Sequence, residues 1–139
     1  MEENALWLEV YRLLKKSFFT VKKHCREKLS SYGVTWPQYH AFYHISDEGT
    51  PFKELADHLG CNASNLTGLI DRMAENGWVY REHSKNDRRV WLVKLTDEGR
   101  ELKNRLIPMH MQNIKERISY LSEEEQLTLK ELLTKLIGS

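Results

Sequence analysis

The chain has 139 residues, 21 basic against 20 acidic side chains and two cysteines. That length suits one domain with a real core, and two cysteines cannot build a disulfide framework, so they read as thiols in a reducing compartment. No apolar run approaches the roughly 18 to 20 residues needed to span a bilayer, and Met1-Glu2-Glu3-Asn4 opens nothing like a secretory signal, so a cytoplasmic protein without a membrane partner is expected.

Taken in order, residues 4 to about 30 predict a long helix. Leu6, Val10, Leu13, Leu14, Phe18, Val21, Cys25 and Leu29 trace one stripe, with lysines mostly outside it. Ser31-Tyr32-Gly33 breaks it. Thr35 with Gln38 forms a capping box for a second helix bearing Trp36, Tyr39, Phe42, Tyr43 and Ile45, closed by Asp47-Glu48-Gly49.

A third helix follows from Phe52, Leu55, Ala56 and Leu59, ended by Gly60 where a left-handed residue is wanted. Asn62 then caps a fourth, whose buried stripe of Leu66, Leu69, Ile70 and Met73 runs to Asn76-Gly77. The turn between them is short enough to predict a helix-turn-helix. Next come two β-rich runs, Val79 to His83 and Val90 to Leu95. The six residues between them, Ser84 to Arg89, hold turn formers and the cations Lys85, Arg88 and Arg89. Thr96 caps a further long helix in which Pro108 predicts a kink or a break. Ser122 to Glu125 is a second capping box, opening a terminal helix rich in leucine.

Function is argued from the outer face of the fourth helix. Asn62, Ser64, Asn65, Thr67, Gly68, Asp71 and Arg72 stand there, where a solvated helix would normally carry Glu and Lys. Small hydroxyls and amides admit close approach to a major groove and bond base edges or phosphates, Gly68 leaves room for the backbone, and Arg72 can reach phosphate or guanine. The same residues would also serve a plain surface helix with polar caps. The hairpin favours DNA, because its guanidiniums can enter the adjacent minor groove. Asp87 would hold a neighbouring arginine in one orientation rather than face phosphate.

Charge is spread accordingly. Residues 60–95 carry 6 bases and 4 acids and residues 1–35 carry 7 and 4, while residues 36–59 carry 1 and 4. One such module would bind DNA weakly, which implies that two act together. The apolar stripes of the first and last helices exceed what a small winged module can cover, so they predict a homodimer.

These residues resemble the winged helix-turn-helix of the multiple-antibiotic-resistance regulator (MarR) family of bacterial repressors. The likeness is carried by Leu55-Ala56 with Leu59-Gly60, by Asp71-Arg72-Met73 with Gly77, and by Asp87-Arg88-Arg89. Val93-Lys94-Leu95-Thr96-Asp97-Glu98-Gly99 and, upstream, Thr35-Trp36-Pro37-Gln38-Tyr39 complete it. It implies a mainly α fold with a small β-hairpin wing, in one domain over residues 1–139. Residues 1–34 and 100–139 would be dimerisation helices and 35–99 the winged helix-turn-helix. It also implies a DNA-binding regulator, a repressor on a pseudo-palindromic double-stranded operator. Nothing resembles a catalytic constellation, and no cofactor is expected. A winged-helix protein-interaction module, the reading from another class, would need a wing poor in arginine.

The sensing input has several candidates. His40 and His44 stand four apart on one helix, a spacing that can share a metal, and in zinc-responsive members of the family ligands match His40 and His110. Lys22, Tyr39 and Leu106 depart from that pattern, so ordinary part-buried histidines are the favoured reading and no metal is expected. Cys25 and Cys61 read as packing residues. A thiol-responsive role would require exposure and a depressed pKa, and peroxide-sensing members carry their cysteine where this chain has Tyr11. A small-molecule effector, phenolic or otherwise apolar, could occupy a pocket lined by Trp36, Tyr39, His40 and Phe42.

Overall fold

A computed structural model of the chain describes residues 4–138. Its helices are α1 (Leu6–Ser30), α2 (Trp36–His44), α3 (Phe52–Leu59), α4 (Ala63–Glu75), α5 (Asp97–Ile118) and α6 (Glu123–Ile137). The strands are β1 (Thr50–Pro51), β2 (Val79–His83) and β3 (Trp91–Leu95). Local chemistry sets most boundaries. Thr35 and Ser122 make full capping boxes with Gln38 and Glu125, and the Asn62 side chain accepts from the Asn65 N–H. Gly60 ends α3 at φ 63°, in the left-handed region that only glycine enters without cost.

Three expectations need correction. First, α2 stops at His44, before Asp47-Glu48-Gly49, because Thr50 takes over. Its hydroxyl donates to the His44 carbonyl and accepts from the Ser46 N–H, both at 3.0 Å. That turn leads into β1, which pairs antiparallel with β3 in the sheet order β1-β3-β2. Second, Val90 lies outside β3. Its N–H closes the wing turn on the Asp87 carbonyl, while its carbonyl accepts from the Ser84 N–H across the hairpin at 2.8 Å, so its bonds belong to the turn. Third, Pro108 does not break α5, which runs through it unbroken. The break is overturned and the kink is left as the expectation, since the missing Pro108 N–H removes one bond of the helix ladder without ending it.

The chain divides into two compact units, the residues up to Lys28 with those from His110 onward, and Leu29–Met109. The second closes on itself. Leu29, Val34, Tyr39, Phe42, Ile45, Leu55, Leu66, Ile70, Met73, Val93 and Leu106 form its core, with Trp78 tilted against Phe42 at 5.5 Å between ring centroids. Gly99 is required where α5 meets the hairpin base. A Cβ there would lie 1.9 Å from the Trp78 carbonyl oxygen, which must stay close to accept the Thr96 N–H. Thr96 completes the joint, its hydroxyl donating to the Gly77 carbonyl at 2.6 Å and accepting from the Gly99 N–H at 3.0 Å.

The terminal-helix unit is less complete. Cys25, His110 and Asn113 are buried, and His24 Nε2 lies 3.8 Å from Glu116 Oε2. Leu6, Trp7, Leu13, Phe18, Leu132, Leu136 and Ile137 are nonetheless 59–77% exposed.

Candidate nucleic-acid interface

The interface is built on α4 and the β2–β3 hairpin. Burial of Leu66, Leu69, Ile70 and Met73 turns the opposite side of α4 outward, so Asn62, Ser64, Asn65, Thr67, Asp71 and Arg72 are exposed. Two of these already have bonds within the helix. The Asn62 oxygen accepts from the Asn65 N–H at 2.8 Å, and the Thr67 hydroxyl donates to the Ala63 carbonyl at 2.8 Å. Asn62 keeps its NH₂ and Thr67 its lone pairs for an external partner. Gly68 is half-buried. A Cβ there would lie 3.5 Å from Arg72 Nη1, so Gly68 is the floor on which the Arg72 side chain lies.

The wing carries Lys85, Arg88 and Arg89 exposed at its tip. Asp87 organises it. Its Oδ1 accepts from the Arg89 N–H at 3.0 Å and from Arg89 Nε at 3.1 Å, and its Oδ2 accepts from Arg89 Nη2 at 3.2 Å. The Arg89 side chain hydrogen bond, and then the backbone bond, hold the Asp87 carboxyl below its ordinary range. The Arg89 side chain remains 91% exposed although fixed in direction. A clamped guanidinium facing solvent is arranged for an external anion. Farther down the strands, Lys94 Nζ pairs with Glu82 Oε2 at 2.9 Å.

Two features of this surface escaped the sequence reading. Asp71 does not stand alone on α4, since Arg81 of β2 bonds it. The available signal was the lone carboxylate on a face otherwise neutral or basic. His83 and Trp91, register partners across the hairpin, lie with ring centroids 3.6 Å apart. Their pairing depended on a register that sequence left open.

Behind α4 a cavity of about 540 Å³ is lined by Trp36, His40, His44, His58, Cys61, Asn65 and Arg72, among others. Trp36 and His40 thus belong to it, whereas Tyr39 and Phe42 are at most 2% exposed and lie in the core. Both fall on the inward side of α2, where their bulk excludes solvent. His44 and His58 stack at 4.7 Å, and desolvation, then His58 and Lys103, pushes the His44 pKa down. His110 belongs to the other unit, and among the described residues no three His, Cys, Asp or Glu side chains form a ligand set. Burial pushes the Cys25 thiol up, away from the reactive thiolate. Cys61 is half-buried at the cavity wall.

This geometry matches known proteins. The MarR family profile covers residues 34–91. The HTH-type transcriptional regulator MhqR of Bacillus subtilis is 26% identical over 93% of this chain and 90% of its own. Among solved structures, a MarR-like transcription regulator from Bacillus cereus superposes with a TM-score of 0.81 at 27% identity, over 92% of this chain and 93% of that one. A mutant MarR from E. coli complexed with operator DNA gives 0.80 at 27% identity, over 99% of both chains. No helix among the described residues is long and apolar enough to cross a membrane. A self-contained helix-turn-helix with a basic, internally clamped wing carries the MarR family match at residues 34–91, and along its length the chain is similar to MarR-like winged helix-turn-helix transcription regulators.

Proposed function

We propose that the protein is a cytoplasmic repressor that grips a pseudo-palindromic double-stranded operator as a homodimer, with α4 in the major groove and the wing over the adjacent minor groove. The observation that carries this reading is the small polar face of α4 beside a hairpin tip whose Arg89 is clamped by Asp87. Ser64, Asn65 and Thr67 read base edges, Asn62 and Arg72 position the helix, and Gly68 seats Arg72. Lys85 and Arg88 meet phosphate and Arg89 enters the minor groove. The exposed apolar residues of α1 and α6 form the dimer surface, and neither catalysis nor a cofactor takes part. The crystallised relative complexed with operator DNA supports operator binding as the activity.

Regulation enters through the cavity behind α4. A small molecule held there would lie against Asn65 and Arg72 and so change what the helix offers DNA. Selection of bound DNA from a random pool tests the whole reading. A two-fold symmetric consensus is expected, and an asymmetric site would overturn the dimeric mode. On that DNA, Arg89→Ala is expected to weaken binding by about 1 to 3 kcal/mol. Asp87→Ala should weaken it as well. Tighter binding would mean that the carboxylate only repels phosphate.

A further inference from the structure

Asp71 is an anomaly on the face assigned to DNA. Ser64, Thr67, Gly68 and Asp71 follow the i, i+3, i+4, i+7 spacing of one helical stripe, so the carboxylate continues the proposed reading surface. Left unpaired there it would repel phosphate. Instead its Oδ1 accepts a bond of 2.5 Å from Arg81 Nη2, and the Arg81 side chain is the more shielded of the two, 31% against 53% exposed. Arg81 stands opposite Val93 on the hairpin face that also bears buried Val79 and Leu95. Farther out that face carries His83 tilted against Trp91, and beyond them lies the tip with Lys85, Arg88 and Arg89.

The chain between α4 and β2 is the short turn at residues 76–78, with Gly77 at φ 79°. The base of the hairpin is held by the Thr96 bond to Gly77, by the pairing of β1 with Leu92 and Val93 and by the buried Val79, Val93 and Leu95, none of which is a bond from the hairpin to the outward face of α4. A five-residue strand reaches about 17 Å, so a rotation of about 10° at its base moves the tip by about 3 Å, more than a hydrogen bond tolerates. Arg81 grips α4 two residues into the strand, which gives its bond leverage against that rotation.

We propose that Asp71 and Arg81 are a positioning pair that sets the angle of the wing to α4, so that one docking event satisfies the major-groove and minor-groove contacts together. This rests on the DNA-binding mode proposed above. Electrostatics and positioning give opposite signs for Asp71→Ala. Removing a negative charge near phosphate would tighten binding, whereas loosening the wing would weaken it.

The test uses the full-length protein and the DNA selected by it, with Asp71→Ala, Arg81→Ala and the double variant. Affinity is read alongside hydroxyl-radical protection of the minor groove and methylation protection of guanine N7 in the major groove. Asp71→Ala is expected to lose about tenfold in affinity, and the double variant little more than Arg81→Ala, as a coupled pair requires. Minor-groove protection should fade while N7 protection persists, a split that unfolding would not produce, and urea midpoints of all three check the fold directly. Equal or tighter binding by Asp71→Ala, additive losses in the double variant, or an unchanged minor-groove footprint would overturn the pair's role. Wild-type protein that protects neither groove would overturn the DNA-binding mode itself.

Discussion

The winged unit and the terminal-helix unit draw on the same apolar residue types and finish in opposite conditions. In Leu29–Met109 the helices and sheet enclose their own core, and Phe42, Leu55, Ile70 and Met73 are fully buried. In the other unit Leu13, Phe18, Leu132 and Leu136 remain largely exposed. The contrast runs along a single helix, since Cys25 and Leu29 of α1 are fully buried while Leu6 to Phe18 of the same stripe are not. An apolar stripe therefore reports which residues share a face, and nothing about whether that face is covered from within the chain. Exposure on this scale is what the proposed dimer would cover.

Four substitutions sharpen or break that contrast. Ile70→Ala should cost about 2 to 5 kcal/mol in urea unfolding, with no dependence on protein concentration, because its cavity opens inside a closed core. Gly99→Ala comes next at about 1 to 3 kcal/mol, since the added methyl collides with the Trp78 carbonyl and α5 must shift away from the hairpin base. In the other unit, Leu132→Asp is expected to leave the stability of a single chain within about 0.5 kcal/mol. It should abolish self-association in sedimentation. If Leu132→Asp unfolds the protein at every concentration, the face is covered within the chain and the contrast fails.

The smallest effect concerns pH. The His44 pKa is lowered, mainly by desolvation and then by His58 and Lys103, so the folded winged unit favours the neutral imidazole. The unfolded chain takes up the proton first on acidification. Stability from this group is therefore present above the ordinary histidine range and declines as pH falls through about 6.5. The urea midpoint should drop between pH 7.5 and 5.5, and His44→Gln should flatten that drop. An unchanged slope would remove His44 as its source.

Much of the interface could be read before the fold was known because its signals are short-range. The Asn62 cap, the Gly60 stop and the Thr35 and Ser122 boxes need partners within three or four residues, and Asp87 finds Arg89 two residues away. What stayed hidden needed partners far along the chain. The bond from Arg81 to Asp71 spans 10 residues, that from Thr96 to Gly77 spans 19, and β1 is two residues that acquire identity only by pairing with β3.

By itself the sequence determined the order and type of the helices, the outward polar face of α4 and the charge of the wing, because caps, periodicity and turn residues act over one or two turns of chain. Tertiary structure alone decided the rest. It placed Tyr39 and Phe42 in the core and Trp36 with His40 at a cavity, turned Gly68 into the seat of Arg72, and closed α2 early on Thr50. Each of these depends on which face of an element meets another, and that choice is made by packing the whole core at once, not by any residue's preference.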